Sequence, residues 1–195
     1  MSRLKNPALI ALVVVLLASC SRTKTHQADV KDGAQRKAAA AFTLKNAQGQ
    51  PVKLADYKGK VVLMNFWATW CGPCEAEIPW FIEFQQKYKD RDFAVLGISM
   101  DDDGWKSVTP YIESHKMNYQ VVLGDQVVAQ QYGDIDSLPT SFVLDRQGRI
   151  AATHVGLVDK RDYQDEILKL LDDPKTSVSV HPDGELVASA NGANR

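Results

Sequence analysis

Cysteine is scarce in this chain: there are three, a lone Cys20 and the pair Cys71 and Cys74. No second Cys-X-X-Cys exists, and the four histidines, His26, His115, His154 and His181, are scattered singly. The ligand set of a structural zinc site is therefore missing. An excess of charge of one sign is missing too, with 23 Lys and Arg against 24 Asp and Glu. That balance excludes the electrostatic footprint of a nucleic-acid binder or of a protein held on an acidic membrane surface. There are no internal repeats, which excludes solenoids and arrays. The one long apolar run near the start, Ala8 to Ala18, is too short and wrongly flanked for a permanent transmembrane span. Residues 21–40 contain one branched aliphatic, Val30, and no aromatic, too little apolar area to order themselves.

What is present is concentrated in Trp70-Cys71-Gly72-Pro73-Cys74, directly after the apolar run Val61-Val62-Leu63-Met64-Asn65-Phe66-Trp67. Two thiols with two residues between them at a strand-to-helix junction form a reversible disulfide. If a helix opens near Cys71, its sulfur faces unpaired backbone N–H groups and the positive end of the helix dipole, both of which favour thiolate. A Cys-X-X-Cys thiol so placed falls from ~8.5 to roughly 7. Cys71 is accordingly the expected attacking sulfur. Cys74, one turn deeper, is the resolving one, which attacks a mixed disulfide on Cys71 and releases the reduced partner. Gly72 is expected to permit a tight approach, and Pro73 takes an early helical position where a missing N–H costs little. A purely structural disulfide is the competing reading, but so short a loop stabilises a fold weakly.

The first nineteen residues read as a secretory signal: Arg3 and Lys5, then the apolar run, then Leu17-Ala18-Ser19-Cys20. Those last four residues resemble a bacterial lipobox, in which the cysteine becomes the lipidated first residue of the mature chain. Cys20 is then withdrawn from redox chemistry, which accounts for the odd cysteine count. Ser21, rather than an aspartate, follows it, which leaves inner or outer membrane open. Removal of residues 1–19 takes away two cations and no acid, so the formal charge moves from −1 to −3. Residues 20–40 are expected to be a flexible tether with a reach of about 25 Å, and membrane attachment is expected through lipid alone.

Order is expected from Phe42. Phe42 to Leu44 and Val52 to Leu54 read as a hairpin around Gly49. Val61 to Phe66 and Phe93 to Ser99 read as strands covered on both faces. The helix after the cysteines, to about Tyr88, buries Ile78, Phe81, Ile82 and Tyr88. Asp101-Asp102-Asp103-Gly104 precedes a helix from Trp105 to about Lys116, with Asp103 as its expected N-cap. These acids do not have the spacing of a calcium loop. Strands follow at Gln120–Leu123, Thr140–Leu144 and Ile150–His154, with a short helix at Val127–Tyr132 and a turn at Asp145-Arg146-Gln147-Gly148. An amphipathic helix from Asp162 to Leu171 closes the domain, expected at 41–172. His154 reads as a packed or edge residue. Residues 173–195 are expected to be mostly disordered, with one candidate hairpin around Pro182-Asp183-Gly184. The alternation implies an α/β domain with a mixed central sheet flanked by helices.

From Ala41 to Leu171 the chain resembles the thioredoxin superfamily, and within it the membrane-tethered TlpA/ResA-type thiol-disulfide oxidoreductases, which include the DsbE-like proteins of cytochrome c maturation. The residues that carry this are Asn65-Phe66-Trp67-Ala68-Thr69-Trp70-Cys71-Gly72-Pro73-Cys74, Glu77-Ile78-Pro79 and Ser137-Leu138-Pro139-Thr140. The resemblance implies a thioredoxin fold with an N-terminal β-hairpin and a central βα insertion. It implies that Pro139 is cis beside the disulfide, and that the backbone of Leu138 pairs with an extended substrate segment. Trp70, Gly72, Pro73, Leu138 and Pro139 are then the substrate-contacting residues. Glu77 becomes a partly buried acid that moves protons to or from Cys74. Cytosolic thioredoxin has an aspartate where this chain has Asn65, whose amide cannot exchange a proton.

The implied activity is reduction of protein disulfides, without metal or organic cofactor. The Gly72-Pro73 dipeptide is that of thioredoxin, at about −270 mV, and leans toward a reductant. The implied client is a disulfide-containing protein such as apocytochrome c, and the implied electron source is a membrane carrier of the DsbD/CcdA type. The rival readings are a net oxidant with the same site, a peroxidase, and a copper- or haem-handling module. Peroxidases of related type use Thr-X-X-Cys, whereas Thr69 stands two before Cys71; related copper proteins use Cys-X-X-X-Cys with a distant histidine.

Overall fold

The computed structural model describes residues 30–173 and the short strands at 179–180 and 186–187. The signal segment 1–19, Cys20, the start of the expected tether and most of the tail lie outside the described residues.

Strands β1 (Thr43–Lys45) and β2 (Pro51–Lys53) form the expected N-terminal hairpin, with Gly49 at φ 73° in its turn. The central sheet is built from β3 (Val61–Trp67), β4 (Phe93–Ser99), β5 (Gln120–Leu123), β6 (Thr140–Leu144) and β7 (Ile150–Val155). Its order is β5-β4-β3-β6-β7, with β3, β4 and β5 parallel and β6 and β7 antiparallel to their neighbours. Every residue of β3 and β4 is buried, because both faces of the sheet are covered.

Alternate side chains divide the core between those faces. On one side Val61, Leu63, Val95 and Val143 pack against helix α1 (Gly72–Tyr88), through Phe81 and Phe84, and against the C-terminal helix, through Tyr163, Ile167 and Leu170. On the other side Met64, Phe66, Leu96 and Ile98 meet the β1–β2 hairpin and Tyr132. The βα insertion consists of α2 (Trp105–His115) and β5, followed by α3 (Gln126–Gln131), which Asp125 caps by accepting from the Val128 N–H at 2.8 Å. The C-terminal helix α4 spans Lys160–Leu171. The mixed sheet flanked by helices, with its N-terminal hairpin, is a thioredoxin-like fold.

Two expectations change. Asp103 does not cap α2: Gly104, at φ 59°, is the residue that turns the chain into the helix, and Asp103 accepts from the Ser107 hydroxyl instead. Residues 31–40, expected as free tether, lie along β7. The N–H of Lys31 donates to Ala151, that of Ala39 to Gly148, and Ile150 donates to Lys37. Arg36 pairs at 3.1 Å with the fully buried carboxylate of Asp145, which also accepts from the backbone of Gln147 and Arg149. Backbone pairing and one buried charge, with Ala39 and Ala40 packed against the core, hold this segment. In the tail, β8 (Ser179–Val180) and β9 (Leu186–Val187) pair antiparallel where the candidate hairpin is expected, and the turn between them lies outside the described residues.

Candidate redox site

Parallel strands β3 and β4 end at the same edge of the sheet, where helices and loops converge on the strand ends. The chain leaves β3 at Trp67, turns through Ala68 to Trp70 and enters α1, with Cys71 as its N-cap. Cys71 Sγ accepts from the Cys74 N–H at 3.3 Å, so the sulfur takes the place of a capping oxygen at the positive end of a 17-residue helix. Cys71 and Cys74 are joined as a disulfide, with 6% of Cys71 exposed and 1% of Cys74. The cysteine at the helix terminus is also the more exposed of the two.

Around it the structure gathers most of the residues singled out in the sequence. Trp70 is 70% exposed, Gly72 and Pro73 lie at the surface, and Pro73 falls in the first turn of α1. Leu138 packs against the cluster that contains both cysteines, and the Leu138–Pro139 bond is cis. The carbonyl of Pro139 accepts from Gly156 at 2.7 Å, which brings the exposed side chains of Val155 and Leu157 to the same rim. The expected reason for Gly72 needs correction. Its φ is not positive and a Cβ there would meet nothing within 4 Å, so no contact inside the chain demands glycine. What its bare backbone leaves is open surface beside the disulfide.

Glu77 is fully buried on α1, one turn beyond Cys74. Tyr163 of α4 donates to its Oε1 at 2.9 Å, and Oε2 has no hydrogen-bond partner among the described residues. Burial pushes its pKa up to about 7, opposed by the Tyr163 hydrogen bond, the charge of His154 and the approach of the Val158 amide. A carboxyl group so placed can hold or release a proton near neutral pH.

Sequence reasoning missed two groups. Asp101, the first acid after β4, is nearly buried; it accepts from the Thr69 N–H, the Thr69 hydroxyl and, at 2.8 Å, the Ser99 hydroxyl. It latches the segment that feeds Cys71. The available signal was its place one residue past Met100 at the end of a buried strand parallel to β3. The second group is a polar row across three strands, Asn65 opposite Ser141 and Ser141 opposite His154, facing α4. Asn65 donates to Ser141 at 2.9 Å, Ser141 acts on the Tyr163 oxygen, and Tyr163 donates to Glu77. The buried stripe Tyr163, Glu166, Ile167, Leu170 at helical spacing signalled that Glu166 faces inward. Among the described residues no group of three or more His, Cys, Asp or Glu could hold a metal ion.

Residues 35–153 match the AhpC/TSA family. The chain belongs to that family. The chain is 31% identical over 140 residues to the thioredoxin-like protein YneN of Bacillus subtilis, covering 71% of this chain and 79% of the relative. It is 31% identical over 136 residues to the thiol-disulfide oxidoreductase ResA of Bacillus cereus, covering 69% and 77%. A solved structure of a thiol:disulfide interchange protein of the thioredoxin family from Chlorobium tepidum superposes with a TM-score of 0.65 at 30% identity, over 72% of this chain and 99% of that one. This member of the AhpC/TSA family is a thiol-disulfide oxidoreductase of the ResA/DsbE type, and its Cys71–Cys74 pair forms the disulfide which that chemistry requires.

Proposed function

We propose that the protein is an extracytoplasmic, lipid-anchored reductase of protein disulfides. The observation that carries the reading is the join between a sulfur capping α1, Cys71, and a buried carboxyl one turn behind its partner, Glu77. The Cys71 thiolate attacks a client disulfide, forming a Cys71–client bond as the client's other sulfur leaves as thiolate. Cys74 gives its proton to Glu77 and attacks Cys71; the Cys71–Cys74 bond forms and the client's first sulfur leaves as thiolate. Water protonates both client thiolates. Two electrons must then re-reduce the pair, and Glu77 returns the proton to Cys74.

An extended client segment beside Leu138 and Pro139, with apolar contact to Trp70, Val155 and Leu157, fits the exposed rim. A protein of cytochrome c maturation, apocytochrome c, is the client the resemblance supports, and a DsbD/CcdA-type membrane carrier is the electron source. Leu17-Ala18-Ser19-Cys20 supports lipid attachment at Cys20, and among the described residues no helix is long and apolar enough to cross a membrane.

The deciding measurement is the equilibrium potential of the Cys71–Cys74 couple. A value near −270 mV, as in thioredoxin, supports a reductant, and one near −120 mV, as in DsbA, makes the protein an oxidant. The Cys74→Ala variant then captures the client as a mixed disulfide on Cys71. Expressed in a lipoprotein-processing host, the wild type should partition into detergent and Cys20→Ser should not.

A further inference from the structure

Glu77 is not buried against apolar groups alone. Behind it, away from Cys74, lies the cluster formed by β7 and α4. His154 stands on β7 in register with Ser141, and its Nε2 lies 2.8 Å from Glu166 Oε2. Its ring meets the edge of the Tyr163 ring, with centroids 5.0 Å apart at 73°, and the Tyr163 hydroxyl is the donor to Glu77. The side chains of His154 and Glu166 are 15% and 2% exposed. So closed an ion pair is a weak source of net stability, because desolvation of both charges offsets their attraction. Its link through Tyr163 to the buried carboxyl of Glu77 gives it another use.

We propose that His154, held by Glu166, is a positioning residue for Glu77: its imidazolium, set against the Tyr163 ring, supplies the positive charge that lets the buried carboxyl ionise and take the proton of Cys74. The inference rests on the reading of Glu77 as the proton-handling group. Burial works against charge on His154, but the hydrogen bond and charge of Glu166, with the charges of Asp162 and Glu77, outweigh it and raise its pKa. Glu166 thus favours the protonated imidazole, and the imidazolium in turn favours the ionised form of Glu77.

The groups that face Glu77 are few. Tyr163 of α4 donates to it, His154 of β7 attracts its charge, and the Val158 amide approaches it from the loop between those elements. Tyr119, ahead of β5, is within its field. Cys74 shares its helix. Of these, His154 alone carries a positive charge.

The test is a pH titration by difference infrared spectroscopy of the oxidised full-length protein. The readout is the protonated-carboxyl band assigned to Glu77 by its loss in Glu77→Gln. In His154→Gln the midpoint should rise by about one pH unit, as expected for removal of a nearby opposite charge. In His154→Lys, which restores a cation, it should return toward the wild-type value. An unchanged midpoint in His154→Gln, with the band present and titrating, overturns the proposal and leaves the reading of Glu77 intact. A wild-type band that does not titrate near neutral pH overturns both. Should His154→Gln fail to fold, His154→Asn serves instead, because it too removes the imidazolium and should raise the midpoint in the same way.

Discussion

The buried carboxyl of Glu77 should leave a measurable mark on stability. In the folded protein its pKa is pushed up to about 7, from an ordinary value of 4.5, so between those limits the folded state holds a proton that the unfolded state has released. Stability therefore falls as pH rises through that window, and is unaffected by Glu77 below about 4.5. At 1.36 kcal/mol per pH unit, the interval amounts to about 3 kcal/mol lost between pH 4.5 and pH 8. His154 acts in the same sense, since its raised pKa contributes stability that is lost as pH climbs past it. The contribution of Glu77 must accordingly be read as a difference. In Glu77→Gln the side chain keeps an oxygen to accept from Tyr163 and has no proton to lose. Urea denaturation of the oxidised wild type and of Glu77→Gln, followed from pH 4.5 to pH 8.5, should give curves that diverge in favour of the variant by about 3 kcal/mol at the alkaline end. Parallel curves would mean that the carboxyl ionises at its ordinary value and that its burial has no bearing on proton transfer.

Three further outcomes are expected. Asp101→Ala leaves three donors, from Thr69 and Ser99, without their acceptor, and at about 1 kcal/mol each should cost about 3 kcal/mol in urea denaturation; a loss below about 1 kcal/mol would show that water replaces the carboxylate. In reduced protein near neutral pH, iodoacetamide should modify Cys71 at least about tenfold faster than Cys74 by peptide mass analysis, as its place at the helix terminus requires. Equal rates would reverse that assignment. Trp67 packs in the cluster that contains both cysteines and Trp70 directly precedes Cys71, so reduction should change tryptophan emission, and identical spectra for mass-verified oxidised and reduced forms would contradict that proximity.

Local sequence by itself determined the order and type of the elements, because burial on both faces writes continuous apolar runs such as Val61 to Phe66, and helical periodicity writes stripes such as Ile78, Phe81, Tyr88. It also determined the position of the disulfide, since two cysteines three residues apart at a strand-to-helix junction leave their sulfurs few other arrangements. The cap of α2 escaped it: Asp103 and Gly104 are both plausible helix starters, and only the path from β4 decided between them. Residues 31–40 escaped it for another reason. Their order comes from backbone pairing with β7 and from Asp145, 109 residues from Arg36, and composition carries no trace of such partners. The same holds behind the active disulfide. Asn65, Glu77, Ser141, His154 and Glu166 are ordinary polar residues in five separate segments, and the register of β3, β6 and β7 together with the docking of α1 and α4 sets them around one tyrosine. Electrostatic coupling depends on distance and burial, quantities that exist only after the chain has closed on itself.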